Sequence, residues 1–138
     1  MLVGGAARFV DPIFSSGVSI ALNSARFASE DILEAAQKDD FRKQSFERFA
    51  SIIRNGCKHW YECIRLYYRL NVLFTYFVGH RDYRLDVLRL LQGDVYEPDE
   101  PAVLAKMRSM VTEVEENEGH VLHKLLGDLT SNAFKPEF

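Results

Sequence analysis

The sequence predicts a mostly α-helical chain, on three observations. Apolar residues recur at three- and four-residue spacing through most of the chain after residue 17. Polar or glycine-containing breaks such as "QKDD", "GHRD", "QGD" and "ENEG" divide that pattern into helix-sized pieces. The one strand-like run is the opening "MLV", and a single strand has no ladder to join.

In chain order, "MLV" reads as the end of a buried strand and "GGAA" as tight backbone where a strand leaves a sheet. Asp11-Pro12 fixes a turn, and Ser15 or Ser16 is placed to cap the following helix. That helix, from Gly17 to about Ala36, carries Val18, Ala21, Leu22, Ala25, Ala28, Ile32 and Ala35 or Ala36 on its expected apolar face.

A longer helical region is expected from about Asp40 to Val78. Phe46, Phe49, Ile53, Cys57, Trp60, Ile64 and Tyr67 line its core face, and "RNG" at 54–56 is a candidate kink. "YRLDVLRLL" (83–91) is a short helix. The turn "YEPDEP" leads to another, with the second Pro at its first position and Val103, Leu104, Met107, Met110, Val111 and Val114 on one face. "HVLHKLLGDL" (120–129) resumes the pattern before a polar tail.

Composition excludes several function classes. With 47% hydrophobic and 27% charged residues in 138, the chain can bury a core and is not of a disordered type. Its 17 basic and 20 acidic residues leave a net charge of −3 without long runs of either sign, so nucleic acid is not an expected partner. The longest apolar run, Leu70 to Val78, is far short of the roughly 20 residues needed to span a bilayer. Without a basic, uninterrupted leader at the N-terminus, a cytoplasmic location is expected.

Candidate metal and nucleophile patterns are weak. Cys57 and Cys63, six apart on a helix, fall on different faces and are not expected to form a disulfide, and Cys57-x-His59-x3-Cys63 is not a zinc spacing. Glu116, His120 and His123 share a face only if Asn117 and Gly119 do not break their helix. No metal is expected. The aromatic residues Trp60, Tyr61, Tyr67, Tyr68, Phe74, Tyr76 and Phe77 are core by their spacing, with a pocket for an aromatic or acyl group as the alternative.

What remains is "LVGGAARFVDPIFSSGVSIALNSARFASEDI", residues 2–32. Gly4 to Ala7 leave no side chain in the way of an extended ligand, and Ser15-Ser16-Gly17 presents backbone N–H groups at a helix start, which favours anions. An ordinary capped turn is the other reading of these residue types.

In its order of residues this stretch resembles the second flavin-binding motif of FAD-dependent oxidoreductases with the para-hydroxybenzoate-hydroxylase-like fold. Its "DPIFSSGV" and "NSA" are most similar to the flavin-dependent halogenases, and "WYECIRLYYRLNVLFTYF" and "YRLDVLRLLQGDVYEPDEPAVL" look like the helical C-terminal region of the same group. The resemblance implies a flavin-motif segment at 1–36 and a helical region at 37–138.

It further implies that Gly4, Ala6 and Ala7 face the ribityl and pyrophosphate side of FAD and that Pro12 lies near its ring. Gly17 and Val18 would start the helix aimed at that ring, and the Ser16-Gly17 amides would hold a halide. The complete enzyme would use a flavin reductase as partner. This chain alone, lacking Gly-x-Gly-x-x-Gly, is expected to bind FAD weakly and to be inactive, either joining an N-terminal flavin-binding half or self-associating through its N-terminal face.

The chain departs from the family pattern in places. The Asp that accepts from a ribityl hydroxyl is Gly5 here, a loss of about 1–3 kcal/mol in affinity. The Trp-x-Trp-x-Ile-Pro motif is absent, and no Lys matches the one that passes hypohalous acid to substrate, so no catalytic residue is assigned. Another monooxygenase or a prenyl-lipid reductase of the same fold, or a helical module without catalysis, remains the alternative.

Overall fold

The computed structural model describes residues 2–127, and within them five α-helices run in the order α1 (Ser16–Lys38), α2 (Glu47–Arg69), α3 (Asn71–Gly79), α4 (Arg84–Leu91) and α5 (Ala102–Glu116). The protein is mostly α, as expected. The N-terminal strand is a correction: Val3 is extended (φ −132°, ψ 148°), but Gly4–Ala6 is a 3₁₀ turn, and no strand occurs among the described residues. Gly4 turns the chain with φ +64°, a conformation that disfavours side chains, and Met1 lies outside the described residues.

Helix α2 is the centre of the fold, packing against α1, α3 and α5. Its inward face, Phe49, Ile53, Cys57, Trp60, Ile64 and Leu66, is buried together with Leu70, Phe77, Leu90 and Leu104 from the later segments. The expected single helical region is split: Lys43–Phe46 form a 3₁₀ turn, and Leu70 (φ −150°, ψ 79°) separates α2 from α3. Breaking there redirects the chain so that Leu70, Leu73 and Phe77 all reach the core. "RNG" does not break α2, which runs through it; Gly56 is there because the Tyr96 ring occupies the space a Cβ would need.

Two helix ends are capped, one of them by another helix. The buried Asp31 of α1 accepts the Phe49 amide at 3.0 Å and pairs with Arg48 at 2.9 Å, so α1 supplies the N-terminal cap of α2. Asp39, left-handed at φ 48°, closes α1 by donating its N–H to Ala35 and Ala36.

The expected side-chain cap of α1 is also corrected. Ser15 is the flanking residue, left-handed at φ 53°, without a side-chain cap, while the Ser16 hydroxyl donates to the Asp11 carbonyl at 2.8 Å. Pro101 precedes α5 as its flanking residue instead of its first. The 120–129 segment is a turn followed by a 3₁₀ turn at His123–Leu125, and its last residues and the polar tail lie outside the described residues.

Candidate functional site

The loop from Phe9 to Ser16 is built on side chains of α2 and α3. Asp11 Oδ1 accepts the Ile13 amide at 2.9 Å, an Asx turn that Pro12 rigidifies. The Ser15 amide donates to the Pro12 carbonyl at 3.0 Å, and the Val18 amide to Ser15 at 3.1 Å. Tyr61 donates to the Phe9 carbonyl at 3.0 Å, and Tyr68 reaches Asp11 Oδ1 at 3.4 Å. Phe14 stacks on Phe74 with centroids 5.0 Å apart and meets Tyr67 edge-on at 5.1 Å.

This loop delivers the chain to the start of α1. Among the described residues, the Ser16 and Gly17 amides have no acceptor. A Cβ built on Gly17 meets nothing within 4 Å, so nothing described in this chain fills the space its missing side chain leaves. Ser16 is buried, Gly17 is half-buried, and Pro12, Ser15 and Val18 are exposed.

The 3₁₀ turn lies beside the first turns of α1. The buried Gly4 amide donates to Ser24 at 2.8 Å, and its missing Cβ would sit 3.4 Å from the Ala21 methyl. Gly4 thus serves the packing of its own chain. Ala6 is exposed and Ala7 half-buried. Gly5 faces open space. At the N-terminus of α1 the open space lies at the Gly17 Cβ position and Ser16 is fully buried, while the Gly4 amide is already committed inward.

The apolar face expected of α1 is only partly its buried face. Ile20, Phe27, Ala28 and Ala35 point inward with Ser24 and Asp31, whereas Val18 (63% exposed), Leu22 (68%) and Leu33 (64%) lie outward with Ala25, Ile32 and Ala36. Both faces are apolar, so three-and-four spacing alone selected a mixture of the two.

Other candidates fall into the body of the fold. Cys57 and Cys63 are buried thiols that burial pushes up to about 11 and about 12, and His59 Nδ1 lies 2.7 Å from the Val95 carbonyl oxygen. Helix α5 ends at Glu116, leaving His120 and His123 in a separate turn, and no group of three metal-ligating side chains occurs among the described residues. Trp60 and Phe77 are core, while Tyr67 and Phe74 grip the loop. Phe14, Tyr61 and Tyr68 carry no local sequence signal for this role, because each acts on a partner more than 50 residues away.

No family model matches the chain. Over all 138 residues it is 59% identical to the 1H-pyrrole-2-carbonyl-[peptidyl-carrier protein] chlorinase of Pseudomonas fluorescens, spanning 31% of that protein's length. Along its full length the chain is thus similar to one part of a longer chlorinase.

The matching brominase of Pseudoalteromonas luteoviolacea is 32% identical over 97 residues, 70% of this chain and 24% of the brominase. A digeranylgeranylglycerophospholipid reductase of Thermoplasma acidophilum is 35% identical over 54 residues, 39% of this chain and 14% of the reductase. The chain therefore spans under a third of the length of each of these relatives. No described helix is long and apolar enough to cross a membrane.

Proposed function

We propose that this chain supplies the C-terminal part of a flavin-dependent halogenase acting in the cytoplasm, with residues 1–36 as one wall of the flavin and halide site and 37–138 as a helical cover on the substrate side. The observation that carries the reading is the 59% identity maintained over all 138 residues to the pyrrole-carrier chlorinase. By the same likeness, the substrate is an electron-rich heteroaromatic acyl group on a carrier protein.

FAD supplies the oxidising chemistry when bound, recharged by a separate flavin reductase. This chain's part is to hold and orient. Ala6, Ala7 and Pro12 leave unobstructed backbone on one side of the cofactor, while Gly17 and Val18 present the positive end of α1 to it. The Ser16 and Gly17 amides hold the halide, with the open Cβ position of Gly17 giving it room. Gly5 supplies no carboxylate to a ribityl hydroxyl, so cofactor affinity depends on the other half of the site.

The outward apolar face of α1 belongs in this reading. Val18, Leu22, Ala25, Ile32 and Leu33 form a stripe that the upstream flavin-binding half covers; in its absence, a second copy of the chain takes its place.

The experiment replaces the matching third of the P. fluorescens chlorinase with this chain and assays halogenation of its pyrrolyl carrier substrate, alongside FAD titration of the 138-residue chain alone. The chimera is expected to halogenate and the chain alone to bind FAD weakly. A folded, FAD-loaded chimera that does not halogenate would remove the halogenase reading and leave a general flavoenzyme, the class that the lipid-reductase likeness also supports. Submicromolar FAD binding by the isolated chain would show that the upstream half is not needed.

A further inference from the structure

We propose that Phe14 is a positioning residue whose ring, gripped by Tyr67 of α2 and Phe74 of α3, fixes the backbone of Ser15–Gly17 and thereby sets halide affinity. The inference rests on the halogenase reading but goes beyond it, because it assigns control of the halide turn to the helical region. The three rings form one mutual cluster: Phe14 stacks on Phe74 at 5.0 Å and 22°, and Tyr67 meets Phe14 at 5.1 Å and 80° and Phe74 at 5.6 Å and 82°. Such pairs favour one relative orientation, unlike a general apolar contact.

The residue that follows needs an external hold. Ser15 is left-handed at φ 53°, ψ 25°, which a non-glycine residue adopts at a cost and keeps only when its surroundings determine it. One peptide upstream is Phe14, and one downstream is the buried Ser16, tied to the Asp11 carbonyl at 2.8 Å. With both neighbours fixed, the Ser15 conformation follows, and with it the direction of the Ser16 and Gly17 amides. The grip also spans the joint at Leu70, since Tyr67 precedes the break and Phe74 follows it.

Two measurements test this. In the 138-residue chain, Phe14→Leu keeps an apolar side chain but loses the ring geometry. Hydrogen exchange of the Ser15 and Val18 amides, which close the turn, should rise about three- to tenfold while the core amides of α2 and α5 stay unchanged.

In the chimeric chlorinase, Phe14→Leu should raise the chloride KM about three- to tenfold with kcat at saturating chloride and FAD affinity within about twofold, and Phe14→Tyr should restore it. Phe74→Leu, acting on the other side of the stack, should give the same shift and serves if Phe14→Leu fails to fold.

Unchanged exchange at Ser15 and Val18 would overturn the grip. Faster exchange with an unmoved chloride KM in an active chimera would overturn its link to halide, as would a fall in kcat and FAD loading without a chloride shift. A wild-type chimera that binds FAD but does not halogenate would instead sink the halogenase reading, and the exchange measurement would still decide whether Phe14 holds the turn.

Discussion

Helices α1 and α2 are both 23 residues long, and they treat their outward faces differently. The exposed positions of α2 are Glu47, Arg48, Ala50, Ser51, Arg54 and Lys58, almost all polar, as befits a helix whose one apolar face meets the core. Those of α1 include Val18, Leu22, Ala25, Ile32, Leu33 and Ala36. A helix with a second apolar face left in water is incompletely buried by its own chain. The same contrast holds for their glycines: Gly56 of α2 is filled by the Tyr96 ring, whereas Gly17 of α1 faces space that no described residue occupies.

The largest expected effect comes from the filled glycine. A Cβ on Gly56 would stand 2.2 Å from Tyr96 Cδ1 and 2.3 Å from Cε1, and that ring is buried and packed edge-on to Phe27 at 5.5 Å. Gly56→Val should cost about 3 kcal/mol, far more than the roughly 0.4 kcal/mol of helix propensity that valine gains over glycine, and should lower the urea midpoint accordingly. A midpoint at or above wild type would mean that Tyr96 is not a fixed wall.

Next is the polar link that ties α2 to α5. Glu62 accepts from Arg65 at 2.9 Å and 3.0 Å and from Arg108 at 2.8 Å. Burial pushes its carboxyl up, but the two guanidinium groups outweigh this and hold it below its ordinary value of 4.5. A depressed carboxylate stabilises the fold above its unfolded pKa and loses that contribution as pH falls through the folded one. Glu62→Gln should therefore cost about 1–2 kcal/mol at pH 7, discounted for the half-exposed guanidinium groups, and the difference should shrink from about pH 4.5 downward. A gap constant down to pH 3 would show that packing and not charge holds the link.

The helices were legible because their cores repeat: Phe49, Ile53, Cys57, Trp60 and Ile64 mark α2, and Val103, Leu104, Met107, Val111 and Val114 mark α5. Periodicity is blind where two apolar faces share one helix, so the same spacing joins the exposed Val18 and Leu22 to the buried Ala28. It also missed the break at Leu70, an apolar residue in an apolar run whose conformation is set by what its side chain reaches in the core. The site turn was visible as "DPIFSSG", but its grip by Tyr61, Tyr67, Tyr68 and Phe74 depends on long-range contacts that no local pattern encodes.

A smaller effect on stability is expected on the outward face of α1. Leu22 is 68% exposed, so Leu22→Glu removes little burial and should change stability by less than about 0.5 kcal/mol. Association should respond strongly. Sedimentation of the wild-type chain should show self-association at high concentration, abolished by Leu22→Glu, and the same substitution should impair joining to the upstream part in the chimera. A wild-type chain that stays monomeric at every concentration would show that water covers this face in the free chain.

The smallest stability change, and the sharpest contrast with Gly56, belongs to Gly17. Its backbone lies outside the left-handed region that favours glycine, and beyond its own helical turn and chain neighbours no described atom lies within 4 Å of its Cβ position, so the rest of the described chain sets no steric limit on a side chain there. Gly17→Val should leave the urea midpoint of the 138-residue chain within about 0.5 kcal/mol of wild type. In the chimeric halogenase the same substitution places a branched side chain where the halide is proposed to sit against the Ser16 and Gly17 amides. Halogenation should then fall by roughly a hundredfold, on the scale of losing an aligned donor to a developing anion, because the side chain keeps the halide away from amides that are still present, while flavin reduction suffers less. A residue neutral to its own fold but required for activity is one whose space is reserved for something outside the chain. If Gly17→Val halogenates normally, that space is not the halide site, and the proposed flavoenzyme reading stands without it.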